Sequence, residues 1–264
     1  MDSLDALFCH IDDFCQAFLP HWQASLIDSG VKRRNRSRSM SLSEIMTIVV
    51  SFHQQSYRNF KHFYQKHVCE YWQREFPSLV SYQRFVDQIP STLIPLCVYL
   101  KHCFGECSGI SFIDATALKV CHNRRINQHH VFESLAARGK TSVDWFFGFK
   151  LHLVVNEFGE LLNMTVTPGN TDDRKPVPDL LKEMFGKVFA DRGYGSQPLA
   201  RQLLERFGIE FFATPKRNMK NKLMRLTDKL LARKRSIIET IIDQLKNISQ
   251  IVCEACRRRA FETS

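Results

Sequence analysis

Two short apolar runs, each closing on an aspartate, constrain this chain more than any other feature. Ile110-Ser111-Phe112-Ile113 ends in Asp114, and Val188-Phe189-Ala190 ends in Asp191. Runs of this length bounded by turn residues read as strands. Small or turn-forming residues follow each Asp: Ala115-Thr116 in one case, Gly193-Tyr194-Gly195-Ser196 in the other. A strand fixes its backbone, so a carboxylate at its end projects beyond the sheet, on the edge where open α/β sheets bind ligands. A lone strand-end Asp is commonly no more than a turn cap. Two on adjacent strands are like charges brought together, and protons or cations must neutralise them. Hard oxygen donors with open positions suit Mg²⁺ or Mn²⁺.

The surrounding pattern supplies the rest of an α/β unit. From Phe146 to Val155, Phe147, Phe149, Leu151, Leu153 and Val155 alternate with Gly148, Lys150, His152 and Val154, the pattern of a half-buried strand with His152 on its polar side. Asn156 to Glu160 reads as a turn, Leu161 to Val166 as the hairpin partner, and Val177 to Glu183 as a helix with Asp172 and Asp173 capping it. A helix over Pro198–Phe207 and a strand over Ile209–Ala213 follow. After a basic linker, a helix from Lys234 to Ile251 buries Ile237, Ile238, Ile241, Ile242, Leu245 and Ile248. Glu239 lies on the flank of that stripe, with Arg235 four residues before it and Lys246 seven after, all on nearly one side. Spacing alone fits a surface salt-bridge ladder as well as a functional row.

Before this unit the chain reads as helical. Up to residue 105 its only glycines are Gly30 and Gly105. Ser41 or Ser43 can cap a helix whose apolar residues are Ile45, Ile48, Val49 and Phe52. Phe60, Phe63, Tyr64 and His67 form a second stripe, and Leu93, Cys97, Leu100 and Phe104 a third. Arg58, Lys61 and His62 form a polar face, read as solvated in preference to a recognition helix.

Charge points to a polyanionic partner. The chain of 264 residues carries a formal net charge of +10, and phosphate contacts by Lys and Arg release condensed counterions. Between Lys216 and Arg259 thirteen Lys or Arg face four Asp or Glu. A second run, Lys32 to Arg38, lies near the N-terminus. The nine cysteines, an odd and scattered set, read as reduced thiols in the cytosol. His102, Cys103, Cys107, Cys121 and His122 lack zinc spacing, and Cys253 and Cys256 have no second pair. Met1 to Leu7 has no basic signal-peptide region, and no apolar stretch reaches the roughly 18 residues that span a bilayer.

Three blocks resemble the signatures of DDE-class insertion-sequence transposases. They are Phe112-Ile113-Asp114-Ala115-Thr116, Phe189-Ala190-Asp191-Arg192-Gly193-Tyr194, and Arg235-x3-Glu239-x6-Lys246 on a helix. The gap between Asp191 and Glu239 is similar to that of the insertion sequence 982 subgroup. So are Ser43 to Ile48, Tyr57 to Tyr64, and Phe147 to His152 through Gly169 to Asp173. The resemblance covers about residues 40 to 250. It implies an RNase H-like mixed sheet with flanking helices over 106–251, preceded by a helical, DNA-binding domain over 1–105. It also implies two Mg²⁺ or Mn²⁺ ions held by Asp114, Asp191 and Glu239, with Asp114 shared between them, and cleavage and strand transfer of DNA. Arg235, Lys246, Lys216 and Arg217 would contact phosphates or support the carboxylates. The expected partners are double-stranded DNA, as terminal inverted repeats and target, and a second copy of the chain in that complex; no membrane is expected, and the location is the cytoplasm, at the nucleoid. Residues 252–264 read as an aberrant, out-of-frame tail, the mark of a truncated element copy. A nuclease of the same fold and a catalytically impaired DNA-binding remnant are the alternatives.

Overall fold

The computed structural model describes residues 3–30, 39–55, 57–141, 144–214 and 225–249. The basic run 32–38, Lys216, Arg217 and the tail 252–264 lie outside the described residues. The chain divides into two compact units, Met1–Cys103 and Phe104–Ser264. No helix among the described residues is long and apolar enough to cross a membrane.

The first unit is helical: α1 (Leu4–Asp28), α2 (Leu42–Gln54), α3 (Phe60–Phe63), which passes through a π turn into α4 (Cys69–Tyr71), then α5 (Tyr82–Gln88) and α6 (Leu93–His102). Ser41 starts α2 with a full capping box: its hydroxyl accepts from Glu44 N–H, and the Glu44 carboxylate accepts from Ser41 N–H. Ile45, Ile48, Phe63, Tyr64, Val68, Phe76 and Phe85 form one core. Lys61 and His62 face solvent, an exposure that the solvated and the recognition reading share. The third stripe behaves differently. α6 packs through Leu96, Val98 and Tyr99, so Leu93 and Leu100 are left exposed.

The second unit is a six-stranded mixed sheet: β1 (Ile110–Cys121), β2 (Ala137–Lys140), β3 (Trp145–Asn156), β4 (Leu161–Pro168), β5 (Lys187–Ala190) and β6 (Glu210–Ala213). β3 runs antiparallel to β1 and to β4, while β5 runs parallel to β1 and β6 parallel to β5. Three long antiparallel strands followed by two short parallel ones give the expected RNase H-like order. β2 pairs with β3 as well, beyond the end of β4. The backbones crowd at this junction, and glycine is required there. Gly148 has φ +155°, and a Cβ on it would lie 2.0 Å from the Leu118 carbonyl oxygen.

Helices cover both faces of the sheet. On one, α10 (Ser236–Asn247) lays Ile238 and Ile242 on Phe112, Leu151, Leu153, Val155 and Phe189. On the other, α7 (Val177–Leu180) and α8 (Gln197–Phe207) pack Val177, Leu180, Leu199 and Leu203 on Ile113, Val154 and Val188. β3 is therefore buried on both faces, not half-buried, and His152 is fully buried rather than set on a polar side. α7 is shorter than the sequence pattern suggests: Pro176 and Pro178 remove two backbone donors, and the chain must reach β5 at Lys187. Asp172 and Asp173 do not cap it; its preceding residue is Pro176, with no side-chain cap. Part of the expected linker is a helix, α9 (Leu226–Arg233), whose buried Asp228 accepts from Lys187 Nζ at 2.6 Å. Ile248 lies past the end of α10 and is exposed, outside the predicted stripe.

Candidate active site

Parallel pairing sets the first two acids side by side. Ile113 pairs with Ala190 across β1 and β5, so Asp114 and Asp191 stand at the same level on neighbouring strands, about 4.8 Å apart. Only Asp191 follows a strand end as the sequence suggests; Asp114 lies inside β1, which continues to Cys121 because β3 pairs with it past the end of β5. Asp114 Oδ1 accepts from the Ala115 backbone N–H at 2.8 Å. That bond fixes one carboxylate oxygen, and Oδ2 is the oxygen that Arg235 approaches. Asp191 follows β5 and opens the 3-10 turn Arg192–Tyr194.

The third acid arrives on α10. Ile238 and Ile242 anchor the helix on the sheet, which turns Arg235 and Glu239 toward the strand ends. The Arg235 guanidinium then meets all three carboxylates: Glu239 Oε1 at 2.6 Å, Asp191 Oδ1 at 3.5 Å and Asp114 Oδ2 at 3.9 Å. Among the described residues no three His, Cys, Asp or Glu side chains already stand as a ligand cage; the three acids converge on a guanidinium. Lys246 lies two turns further along α10, about 10 Å from Glu239 at 1.5 Å per residue, and is partly buried.

One guanidinium against three carboxylates leaves the edge with a charge deficit. Burial pushes the Asp114 carboxyl up to about 6; the Ala115 N–H and the Arg235 guanidinium pull it down, and Asp191 and Glu239 push it up again. The donor set is hard and anionic, and one cation already draws all three acids together. A divalent cation fits this site in chemistry and in charge.

Behind the edge lies a second set of polar groups that the sequence pattern did not single out as a unit. Register places Ala117 opposite Lys150 and Ala115 opposite His152, so both side chains point to the sheet face away from Asp114. Lys150 Nζ donates to Asp173 Oδ1 and to the Thr171 carbonyl, each at 2.8 Å. Asp172 is held by Arg174 through Nε at 2.8 Å and through Nη2. The His152 ring meets Thr167 Oγ1 at 2.9 Å, and burial lowers its pKa, which keeps it neutral. Tyr194 is 2% exposed, and its hydroxyl has no hydrogen-bond partner among the described residues. Burial raises the phenol pKa, as do Asp114, Asp173, Asp191 and Asp172.

A surface missed in the sequence lies where β1 and β3 run on past the acids. Between Asp114 and Cys121 the strand extends about 23 Å at 3.3 Å per residue. There Trp145 is 45% exposed, with Arg138 5.2 Å and Lys140 5.6 Å from its ring centre. Their sequence signal was the alternation Arg138-Gly139-Lys140 facing Trp145, which only the β2–β3 register makes visible.

Comparison with known proteins follows the same lines. A family model described as "Transposase DDE domain" matches residues 104–261, a span that takes in the whole sheet, all three acids and part of the C-terminal tail. No curated protein sequence matches the chain. Among solved structures, one titled "Mos1 transposase paired-end complex with left transposon end" aligns at 10% identity over 83% of this chain and 80% of that one. Its TM-score of 0.22 is too low to carry weight. The family match spans more than half of the sequence, and the chain belongs to the DDE-domain transposase family.

Proposed function

We propose that this chain is an insertion-sequence transposase of the 982 subgroup that cleaves and joins DNA, with Asp114, Asp191 and Glu239 holding two divalent ions. The observation that carries the reading is the convergence of three carboxylates on one guanidinium at the parallel strand edge. Bound there, a Mg²⁺ or Mn²⁺ pair supplies activation of an attacking hydroxyl and stabilisation of the leaving oxygen in an in-line displacement at phosphorus.

The protein's part is placement. Asp114 is held by its strand and by the Ala115 N–H, so its orientation is set before any substrate arrives. Asp191, after β5, and Glu239, on α10, are more exposed, at 49% and 53%. Arg235, at 20%, is a planar fork suited to two carboxylate or two phosphate oxygens. Held at the acids in the free protein, it becomes available to a DNA phosphate once the acids are neutralised. Lys246 adds charge along the same helix. No covalent enzyme intermediate is required, so the chain needs no nucleophilic Ser, Tyr or Cys.

DNA contact is assigned to three places: the helical unit, the basic stretch that includes Lys216 and Arg217, and the β2–β3 end bearing Arg138, Lys140 and Trp145. Two copies of the chain acting on paired terminal repeats complete the reading, and its place is the nucleoid.

The test uses linear DNA carrying the element's ends, with Mg²⁺ or Mn²⁺. The wild-type chain nicks at the ends and joins them to target DNA, while Asp114→Ala and Glu239→Ala bind in gel shift without nicking. Metal-dependent cleavage retained by either variant overturns the assignment. Nicking without joining marks a nuclease, and binding without nicking by the wild type marks an inactive remnant.

A further inference from the structure

We propose that the segment joining β1 to β3 is a seat for single-stranded DNA, on which Trp145 stacks an unpaired base. This rests on the reading above that the β2–β3 end touches DNA, and it names the form of DNA taken there. The first observation is a ring held in water. Trp145 is 45% exposed, whereas Trp22 and Trp72 are half-buried. Its backbone is fixed from both sides: the N–H donates to Asp144 Oδ1 at 2.7 Å, and the carbonyl accepts from Asn123 Nδ2 at 2.8 Å. Lys140 is its ladder partner, and the Thr141 N–H closes the turn between them by donating to the Asp144 carbonyl at 2.9 Å. A large apolar ring exposed on a fixed backbone is a platform prepared before its ligand arrives.

The second observation is what the segment sets around the ring. Arg138 and Lys140 stand against it at 5.2 and 5.6 Å. The same segment exposes Arg124 and Arg125, and beside them Val131, Phe132 and Leu135. From Lys119 to Trp145 five Lys or Arg stand against two acids. Both acids are engaged within the segment: Glu133 meets His130 at 3.2 Å, and Asp144 takes the Trp145 N–H. The cations answer the phosphates of either form of DNA. The aromatic and apolar groups among them answer base faces, which a duplex keeps covered and a single strand leaves open.

The third observation is placement. β3 presents Trp145, Phe147, Phe149, Leu151 and Leu153 on one face of the sheet, and Leu153 stands opposite Asp114 in the register. Ring and acid therefore share a face. Between Trp145 and Leu153 the strand covers about 26 Å at 3.3 Å per residue. About eight stacked nucleotides at 3.4 Å each span that distance. A strand parted from its partner at the acids thus reaches the ring along one side of the sheet.

The experiment measures binding of an oligodeoxythymidylate of about twelve residues, enough to run from the ring past the acids, and of a duplex of equal length. Fluorescence anisotropy of the labelled DNA, in EDTA, reads both on the full chain and on the Trp145→Ala and Trp145→Phe variants. A second readout is the emission of Trp145 itself, in a chain carrying Trp22→Phe and Trp72→Phe. Trp145→Ala weakens the single-stranded complex by about five- to a hundredfold, the worth of one stacked base. Trp145→Phe, which keeps a ring, recovers most of that loss, and the single strand quenches the Trp145 emission. A loss under about fivefold in Trp145→Ala, a Trp145→Phe variant as weak as Trp145→Ala, or unquenched emission overturns the stacking and leaves the DNA reading standing. An equal loss on the duplex also overturns it, because the ring then serves the backbone. Wild type that binds the duplex alone overturns the seat. Wild type that binds neither DNA overturns the reading of DNA contact and this proposal with it.

Discussion

Replacing Asp114 by Asn removes one carboxylate of the proposed site and makes the metal-free protein more stable. The carboxyl is raised from 3.8 to about 6, chiefly by burial. One pKa unit corresponds to about 1.36 kcal/mol, so ionising Asp114 in the fold costs about 3 kcal/mol relative to the unfolded chain. The sign follows from the direction of the shift. A carboxyl whose folded pKa lies above its unfolded value favours the fold in its protonated form. That stability is complete below pH 3.8, fades as pH rises through about 6, and is gone at pH 8. Asn mimics the protonated form, and its carbonyl still accepts from the Ala115 N–H. In EDTA at pH 8 the variant therefore gains about 3 kcal/mol, or about 6–12 °C in melting temperature for a unit of this size. By pH 4 the gain shrinks to near zero. Urea melts of both proteins across pH 4 to 8 measure it. A variant no more stable than wild type at pH 8, or equally favoured at pH 4 and pH 8, would show that Asp114 is not held ionised against burial.

Other substitutions probe the same construction. Arg235→Ala leaves three carboxylates facing one another and destabilises the metal-free protein by about 1–2 kcal/mol, the figure held down by the exposure of Asp191 and Glu239; saturating Mn²⁺ narrows that gap, and a gap unchanged by Mn²⁺ refutes the shared role of guanidinium and metal. Joint replacement of Arg138 and Lys140 by Ala lowers the slope of log K against log salt for duplex DNA by about 1.8, at about 0.9 for each phosphate left without its cationic side chain; an unchanged slope removes the β2–β3 end from the DNA surface. Gly148→Ala places a Cβ 2.0 Å from the Leu118 carbonyl oxygen at φ +155°, and costs about 3 kcal/mol or more in chemical denaturation; a destabilisation under about 1 kcal/mol would mean that the strand junction yields easily.

Much of the second unit was legible because its signals are local. The apolar runs before Asp114 and Asp191, the turn at Asn156–Glu160 and the stripe of α10 each lie within a few residues. What escaped depends on pairing. β2 is four residues with a single buried position, Gly139, and exists only because β3 continues past β4. His152 alternates with apolar residues as a surface residue would, yet α7 and α8 cover that face, and period two cannot distinguish a solvated face from a second buried one. α9 escaped because Lys229 and Arg233, flanked by Arg225 and Lys234, mask the inward set of Asp228, Leu231 and Ala232. In the site, the spacing of Arg235 and Glu239 fitted an ordinary helix-surface pair. Only the register between β1 and β5 brings both aspartates to the same guanidinium.

The acids differ in what holds them, and this decides how the site can close. Asp114 is held in β1 by its pairing with β3, and Asp191 follows the last rung of the β1–β5 ladder, Ile113 with Ala190. Glu239 and Arg235 ride on α10, which meets the sheet through the side chains of Ile238 and Ile242. Hydrogen-bonded strands hold their spacing, whereas a helix on an apolar face can slide. On the proposed reading, closure on a cation is a movement of α10 that carries its acid and its arginine together. A cavity under that helix should loosen ligation without touching a ligand. Ile242→Ala and Leu203→Ala each empty a buried aliphatic position, on opposite faces of the sheet, and each costs about 2–5 kcal/mol. Only Ile242→Ala should also weaken Mn²⁺ binding, by about tenfold if a further 1.4 kcal/mol of docking is lost from the bound state. Equal Mn²⁺ affinity in the two variants at matched temperature would mean that α10 is as rigid as the strands, and that Glu239 is fixed before the ion arrives.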